Sequence, residues 1–301
     1  MLDFDTRLIL VGDNPFHNIS HLSQERARNR NEDLSEPKYA ATLVNAAVEN
    51  GANGFTFSVS ETTLSILKEL NALGTLKSLH LCPVVPYAYE YVRLAAQLGG
   101  IPGLVRKFGA DLLKSKNLSA LGNGLRGAFT GNPVALMKTY ISYEISRVES
   151  STCKEVCIDS VLLHQLITDI ALAMNLDWLF KEYCSFLSNR KITPGFNTGN
   201  FPFLVEKFKE WDIDLGNVLV AAPFNKVGFQ MMPSIIECER ALKTVPTPFV
   251  VAISILAAGF VDLKEAASYI NGLTNIKGVA LGVSKLKHAQ ETFRLFQSAL
   301  K

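Results

Sequence analysis

Hydrophobic residues along this chain fall into eight short, nearly unbroken runs, each followed by a longer polar-and-apolar stretch. The first four runs are RLILVG (Arg7 to Gly12), NGFTFSV (Asn53 to Val59), SLHLCPVV (Ser78 to Val85) and DSVLLHQ (Asp159 to Gln165). The others are KITPGF (Lys191 to Phe196), NVLVAAPF (Asn217 to Phe224), PFVVAIS (Pro248 to Ser254) and KGVALGV (Lys277 to Val283). A strand with one wet face alternates apolar and polar residues. These runs do not alternate, which is the mark of parallel strands covered on both faces.

The segments between them read as helices with start and stop signals. Ser35, Glu36 and Pro37 open a helix through YAATLVNAAVEN that stops at Gly51, and Ser60 opens another that stops at Gly74. Thr168 or Asp169 caps a long helix through LAMNLDWLFKEYCSFL. Asn200 to Lys209, Ser234 to Leu242, Leu263 to Ile270 and Leu286 to Leu300 complete the set. Parallel strands with right-handed helical crossovers, eight times over, close into a (β/α)8 TIM barrel. An open doubly wound sheet uses the same alternation and is the competing architecture.

One interval is too long. About 75 residues separate the third and fourth runs, where a βα unit needs ~30. PVALMKTYISYEISRVES is the expected helix, which leaves Gly99 to Gly131 as an inserted helical lobe between strands 3 and 4, inside a single domain spanning 1–301. Following a strand, the lobe emerges on the catalytic face, either as a lid or as a contact that makes a homo-oligomer. Lys107, Lys114, Lys116 and Arg126 in it are solvated charges or ligand clamps.

Composition narrows the classes. The chain has 301 residues, 48% of them hydrophobic, enough for one large barrel core. A net charge of +2 without basic runs argues against a nucleic-acid partner. The start lacks a signal-peptide pattern, and no run approaches the ~18 apolar residues of a membrane span. The five cysteines (82, 153, 157, 184 and 238) show no pairable regularity, which points to reduced thiols in a cytoplasmic protein.

Barrel active sites gather at strand C-termini. The first strand end supplies Asp13, Asn14, His17 and His21, with Glu25 and Arg26 beyond. Asp13 and His17 are catalytic candidates, read against a turn cap and loop-bonded histidines. No HxH or HExxH occurs, so no metal site is expected. His164 after the fourth strand is the general acid/base candidate, read against a satisfied rim histidine. Lys226 after the sixth strand is a Schiff-base candidate or a solvated lysine. Glu61 complements a helix dipole, and Tyr87, Tyr89 and Tyr91 line a pocket or pack the inserted lobe. Gly259 after strand seven and Gly282, Val283, Ser284 and Lys285 after strand eight, with a helix following, suit a phosphate-bearing small molecule.

DSVLLHQ, GFNTGNF, VVAISILAAG and GVSKLKHAQETF together resemble segments of the aldo-keto reductases, from Asp159 to Phe293. The resemblance implies NADP as cofactor and His164 as the active-site histidine. It maps the family's strand-five Ser-Asn turn to Thr198, Gly199 and Asn200, and Asn197 and Asn200 are the cofactor-contact candidates there. It puts the cofactor pyrophosphate at the strand-seven segment and GVSKLKHAQETF near the adenosine phosphate. The first half departs: the family's strand-two Asp and proton-donating Tyr are replaced by TFSVSETT, and its strand-three Lys is absent from HLCPVVPYAY. Three functions stay open at this point. They are an aldo-keto reductase-like oxidoreductase with altered catalytic residues, a lyase or isomerase acting on a phosphorylated metabolite, and a non-catalytic nucleotide-binding barrel.

Overall fold

Strand β1 (Leu8–Gly12) pairs in parallel with β2 (Gly54–Ser58) on one side and with β8 (Ile276–Gly282) on the other, so the sheet closes on itself. Between them run β3 (His80–Val85), β4 (Ser160–Leu163), β5 (Thr193–Asn197), β6 (Leu219–Pro223) and β7 (Phe249–Ile253), in sequence order and all parallel. Closure through β1 and β8 rules out the open doubly wound sheet. Six of the eight strands lie within the apolar runs of the sequence, and β5 and β8 each overrun theirs by one residue, Asn197 and Ile276. This is a computed structural model, and it describes residues 2–3, 5–17, 34, 36–87, 132–153, 156–245 and 249–299. The region 99–131 lies outside the described residues, as do Ser35, His21, Glu25, Arg26, Tyr89 and Tyr91.

Alternate residues of each strand face the barrel axis. Leu8, Leu10, Cys82, Val84, Leu162, Leu219, Ala221, Phe249 and Val251 fill the interior, and Leu2 plugs the lower end, its amide donating to Thr193 Oγ1 at 3.0 Å. The other set, including Phe55, Leu81, Val161, Phe196 and Val250, packs outward under the helices. Both faces are therefore apolar, which explains the unbroken runs.

The helices described are α1 (Pro37–Glu49), α2 (Glu61–Ala72), α3 (Pro133–Ser150), α4 (Gln165–Ala173), α5 (Asp177–Ser188), α6 (Phe201–Glu210), α7 (Ile235–Thr244), α8 (Leu263–Gly272) and α9 (Leu286–Ala299). None of them is long and apolar enough to cross a membrane. Ser60 caps α2 through a reciprocal box with Thr63, as its sequence predicts.

The long helix expected after the fourth strand is two helices, and its cap is His164 rather than Thr168 or Asp169. Asn175 takes the left-handed conformation (φ 53°) just past α4, and its short polar side chain makes it one of the few residues that do so readily. Thr168 is instead buried, its hydroxyl donating to the Leu163 carbonyl.

β5 is the best-anchored strand near the site. Its outward Phe196 meets Phe180 of α5 at 5.4 Å and Phe208 of α6 at 5.2 Å between ring centroids. Both are fully buried tilted or edge contacts, the geometry aromatic pairs prefer. Removing a ring of this kind costs about 3–5 kcal/mol. The anchor fixes the backbone that carries Asn197 into the barrel mouth.

Candidate active site

His164 follows β4 directly and continues its inward-facing set. Its amide donates to the Val85 carbonyl at 2.7 Å, which ties it to the rim of β3. As the cap of α4, its Nδ1 accepts the Leu166 N–H at 3.2 Å. An accepting Nδ1 puts the proton on Nε2, which has no partner among the described residues. Burial lowers the pKa of this half-buried ring, and the Asp169 carboxylate partly offsets the shift. The ring is therefore a neutral N–H donor near pH 7. A neighbouring carboxylate raising its pKa is not the dominant effect.

Asn197 ends β5 beside it: Leu163 and Phe196 are register partners, so the next residue of each strand stands side by side on the rim. Its Oδ1 is buried and has no hydrogen-bond partner among the described residues. A buried amide oxygen without a donor costs roughly 1–3 kcal/mol, so its retention demands a reason. The turn after it is clamped by Asp169 on α4, which takes the Thr198 hydroxyl at 2.6 Å and the Gly199 amide at 3.1 Å. Asn200 is turned to another task, capping α6 through the Phe203 amide at 3.2 Å. Outside the turn, Gln165, Asp169, Asn200, Phe203, Gln230 and Met232 border a groove of about 470 Å³.

Across the mouth, Asp13 is nearly fully buried. Its Oδ2 accepts the Ser58 N–H at 2.7 Å and meets His17 Nε2 at 3.0 Å. The His17 ring lies against Tyr87, just past β3, with centroids 5.0 Å apart. The inward positions of β2 and β3 above the lower layer are Thr56, Ser58, Cys82 and Val84, so neither an Asp nor a Lys stands there.

The corner between β7 and β8 has the expected small residues, with different reasons behind them. Ser254, Ala257, Ala258 and Gly259 all have left-handed backbones (φ 54°, 44°, 61° and 92°). Such strain collects at ligand clamps, since each non-glycine position costs of order 1–3 kcal/mol. The Gly259 amide, however, already donates to the Leu256 carbonyl at 2.8 Å. Gly282 lacks a side chain because Pro15 lies above it: a Cβ would come within 2.8 Å of Pro15 Cγ. Val283 is buried, while Ser284 is half-exposed and Lys285 exposed at the start of α9.

Lys226 is not part of this constellation. More than half exposed, its ammonium pairs with Glu265 of α8 at 3.0 Å. A solvated, ion-paired amine lacks the desolvation that Schiff-base chemistry needs. Sequence reading missed the Asp169 clamp and the His17–Tyr87 contact. Both join segments far apart in the chain, and no local spacing marks them.

No protein-family model matches the chain, and a search of curated proteins finds no match. Solved structures do resemble it. Two structures assigned as an aldo-keto reductase of Pseudomonas aeruginosa superpose with TM-scores of 0.60 and 0.59 at 12% identity, covering 97% of this chain and 90% of theirs. The holo form of an aldo-keto reductase from Bacillus halodurans superposes with a TM-score of 0.53 at 10% identity, over 88% of this chain and 87% of its own. The likeness reaches the first half, where the sequence motifs depart. Over nearly its whole length, the chain has the (β/α)8 barrel fold of these aldo-keto reductases.

Proposed function

We propose that this protein is a nicotinamide-dependent oxidoreductase that reduces a carbonyl group with NADP(H) at the mouth formed by β3, β4 and β5. The observation that carries the reading is the His164–Asn197 pair. Side by side on adjacent strands stand a fixed N–H donor and a buried amide oxygen lacking a donor. Asn197 Oδ1 suits the carboxamide N–H of a nicotinamide, and His164 Nε2–H suits the oxygen of a carbonyl substrate. Ser284 and Lys285 would hold the phosphates, with the start of α9 favouring negative charge and Gly259 leaving room beside them. Bound there, the cofactor supplies a hydride.

His164 then acts without changing its own charge. Its donor polarises the carbonyl and stabilises the oxyanion as negative charge develops. Five free cysteines suit a reducing, cytoplasmic setting. The lyase or isomerase alternative rests on Lys226 or His164, and the exposed pairing of Lys226 with Glu265 takes away the first of these.

Thermal melts with NADPH, NADH, FMN and ribose 5-phosphate, added separately, test the reading. A ligand at a hundred times its dissociation constant adds about 2.7 kcal/mol, so NADPH is expected to raise the Tm by several degrees. A rise with ribose 5-phosphate and none with either nicotinamide would contradict it.

A further inference from the structure

Two histidines follow strand ends, His17 after β1 and His164 after β4, and each has a different ring nitrogen occupied. His164 has its Nδ1 occupied by the Leu166 amide and offers Nε2–H. His17 has its Nε2 held by the buried Asp13 carboxylate at 3.0 Å, and its Nδ1 has no partner among the described residues. Asp13 is itself fixed by the Ser58 amide at the end of β2. The His17 ring leans on Tyr87 at the end of β3, the strand whose Val85 carbonyl accepts the His164 amide. Both rings thus belong to one arc of the rim, from β1 to β4.

A neutral imidazole that donates Nε2–H to a carboxylate keeps a lone pair on Nδ1. That nitrogen takes and releases a proton while the carboxylate steadies the charged ring. An imidazole whose Nδ1 is locked under a helix amide has no such freedom.

We propose that His17, oriented by Asp13, is the proton-transfer residue of this site, and that His164 is a fixed hydrogen-bond donor. The assignment rests on the carbonyl-reduction reading. As the carbonyl carbon accepts hydride from reduced nicotinamide, the C=O π pair moves to oxygen. The oxygen takes the proton from Nδ1 of the His17 imidazolium, the alcohol leaves, and water returns a proton to His17. Asp13 is a positioning residue. Tyr87 packs against the ring.

The test combines kinetics with imidazole NMR on the full chain. Reduction of 4-nitrobenzaldehyde by NADPH is followed at 340 nm for the parent, His17→Gln, Asp13→Asn and Asp13→Ala. His17→Gln is expected to lower kcat about 10²–10⁴-fold, the usual worth of a general acid, with NADPH affinity unchanged. Asp13→Asn keeps an acceptor for the Ser58 amide and is expected to retain more activity than Asp13→Ala. Independently of turnover, two-bond 15N–1H correlation spectra at neutral pH are expected to show His17 as the Nε2–H tautomer, mixing with the Nδ1–H form only in Asp13→Ala.

A His17→Gln variant with parental kcat overturns the assignment, and so does a parental His17 protonated on Nδ1 alone. A parent that oxidises no NADPH with this aldehyde overturns the carbonyl-reduction reading and the assignment built on it. The tautomer spectrum then shows whether the wiring or the reading was at fault.

Discussion

His164 and Asn197 occupy equivalent rim positions on β4 and β5, one presenting an N–H donor and the other a buried oxygen that none of the described residues satisfies. The arrangement makes His164 an electrostatic group. His164→Gln is expected to lower kcat for aldehyde reduction about 10²–10³-fold, as losing one oxyanion donor does elsewhere, with little change in Tm at pH 8. Steady-state kinetics beside a melt at that pH checks it. A strongly destabilised variant with full activity would mark a purely structural histidine.

The same ring sets a pH dependence of stability. Its pKa is lowered in the folded protein, by burial above all. The unfolded chain therefore binds this proton more readily, and stability rises with pH. The contribution is fully present above the unfolded value of about 6.5 and is lost as pH falls through the lower folded pKa. Parent and His164→Gln melts are expected to diverge between pH 8 and pH 5, the parent losing more. Parallel curves would contradict the lowered pKa.

Asp169 holds the turn that follows Asn197 through Thr198 and Gly199. Asp169→Ala strands the Thr198 hydroxyl and the Gly199 amide, and is expected to cost about 1–3 kcal/mol by denaturant unfolding. The same change removes the carboxylate that partly offsets the effect of burial on His164, so the His164 pKa is expected to fall further by NMR titration. An unchanged stability would mean that the turn holds itself.

Lys226→Ala is expected to be quiet. Exposed ion pairs such as Lys226–Glu265 contribute roughly 0–1 kcal/mol, and the amine is outside the mouth. Loss of all turnover in this variant would restore the Schiff-base role.

How much of this was legible in the sequence follows from the range of the interactions. Buried parallel strands leave an uninterrupted local signature, so RLILVG and VVAIS reveal themselves without a partner. The sequence reads Gly259 and Gly282 alike, whereas the structure gives each its own reason, a φ of 92° at Gly259 and a close neighbour at Gly282. Gly282 answers to Pro15, about 270 residues earlier, a contact that no local spacing marks. The pairing of Asp13 with His17 is four residues long and was within reach. The orphaned oxygen of Asn197 was not, because being unsatisfied is a property of the folded surroundings rather than of the residue. The break between α4 and α5 was missed because the apolar spacing continues through Asn175, whose left-handed turn leaves the hydrophobic pattern intact.

We propose that Asn197 Oδ1 is kept without a donor so that a nicotinamide carboxamide can supply one. The dissociation constant for NADPH, measured by fluorescence in the parent and in Asn197→Ala, tests it most directly. Removing a buried acceptor that has no partner is expected to leave stability within about 1 kcal/mol, while the lost ligand hydrogen bond weakens NADPH about ten-fold. An Asn197→Ala protein that binds NADPH as tightly as the parent, or a parent that binds none, would contradict the account.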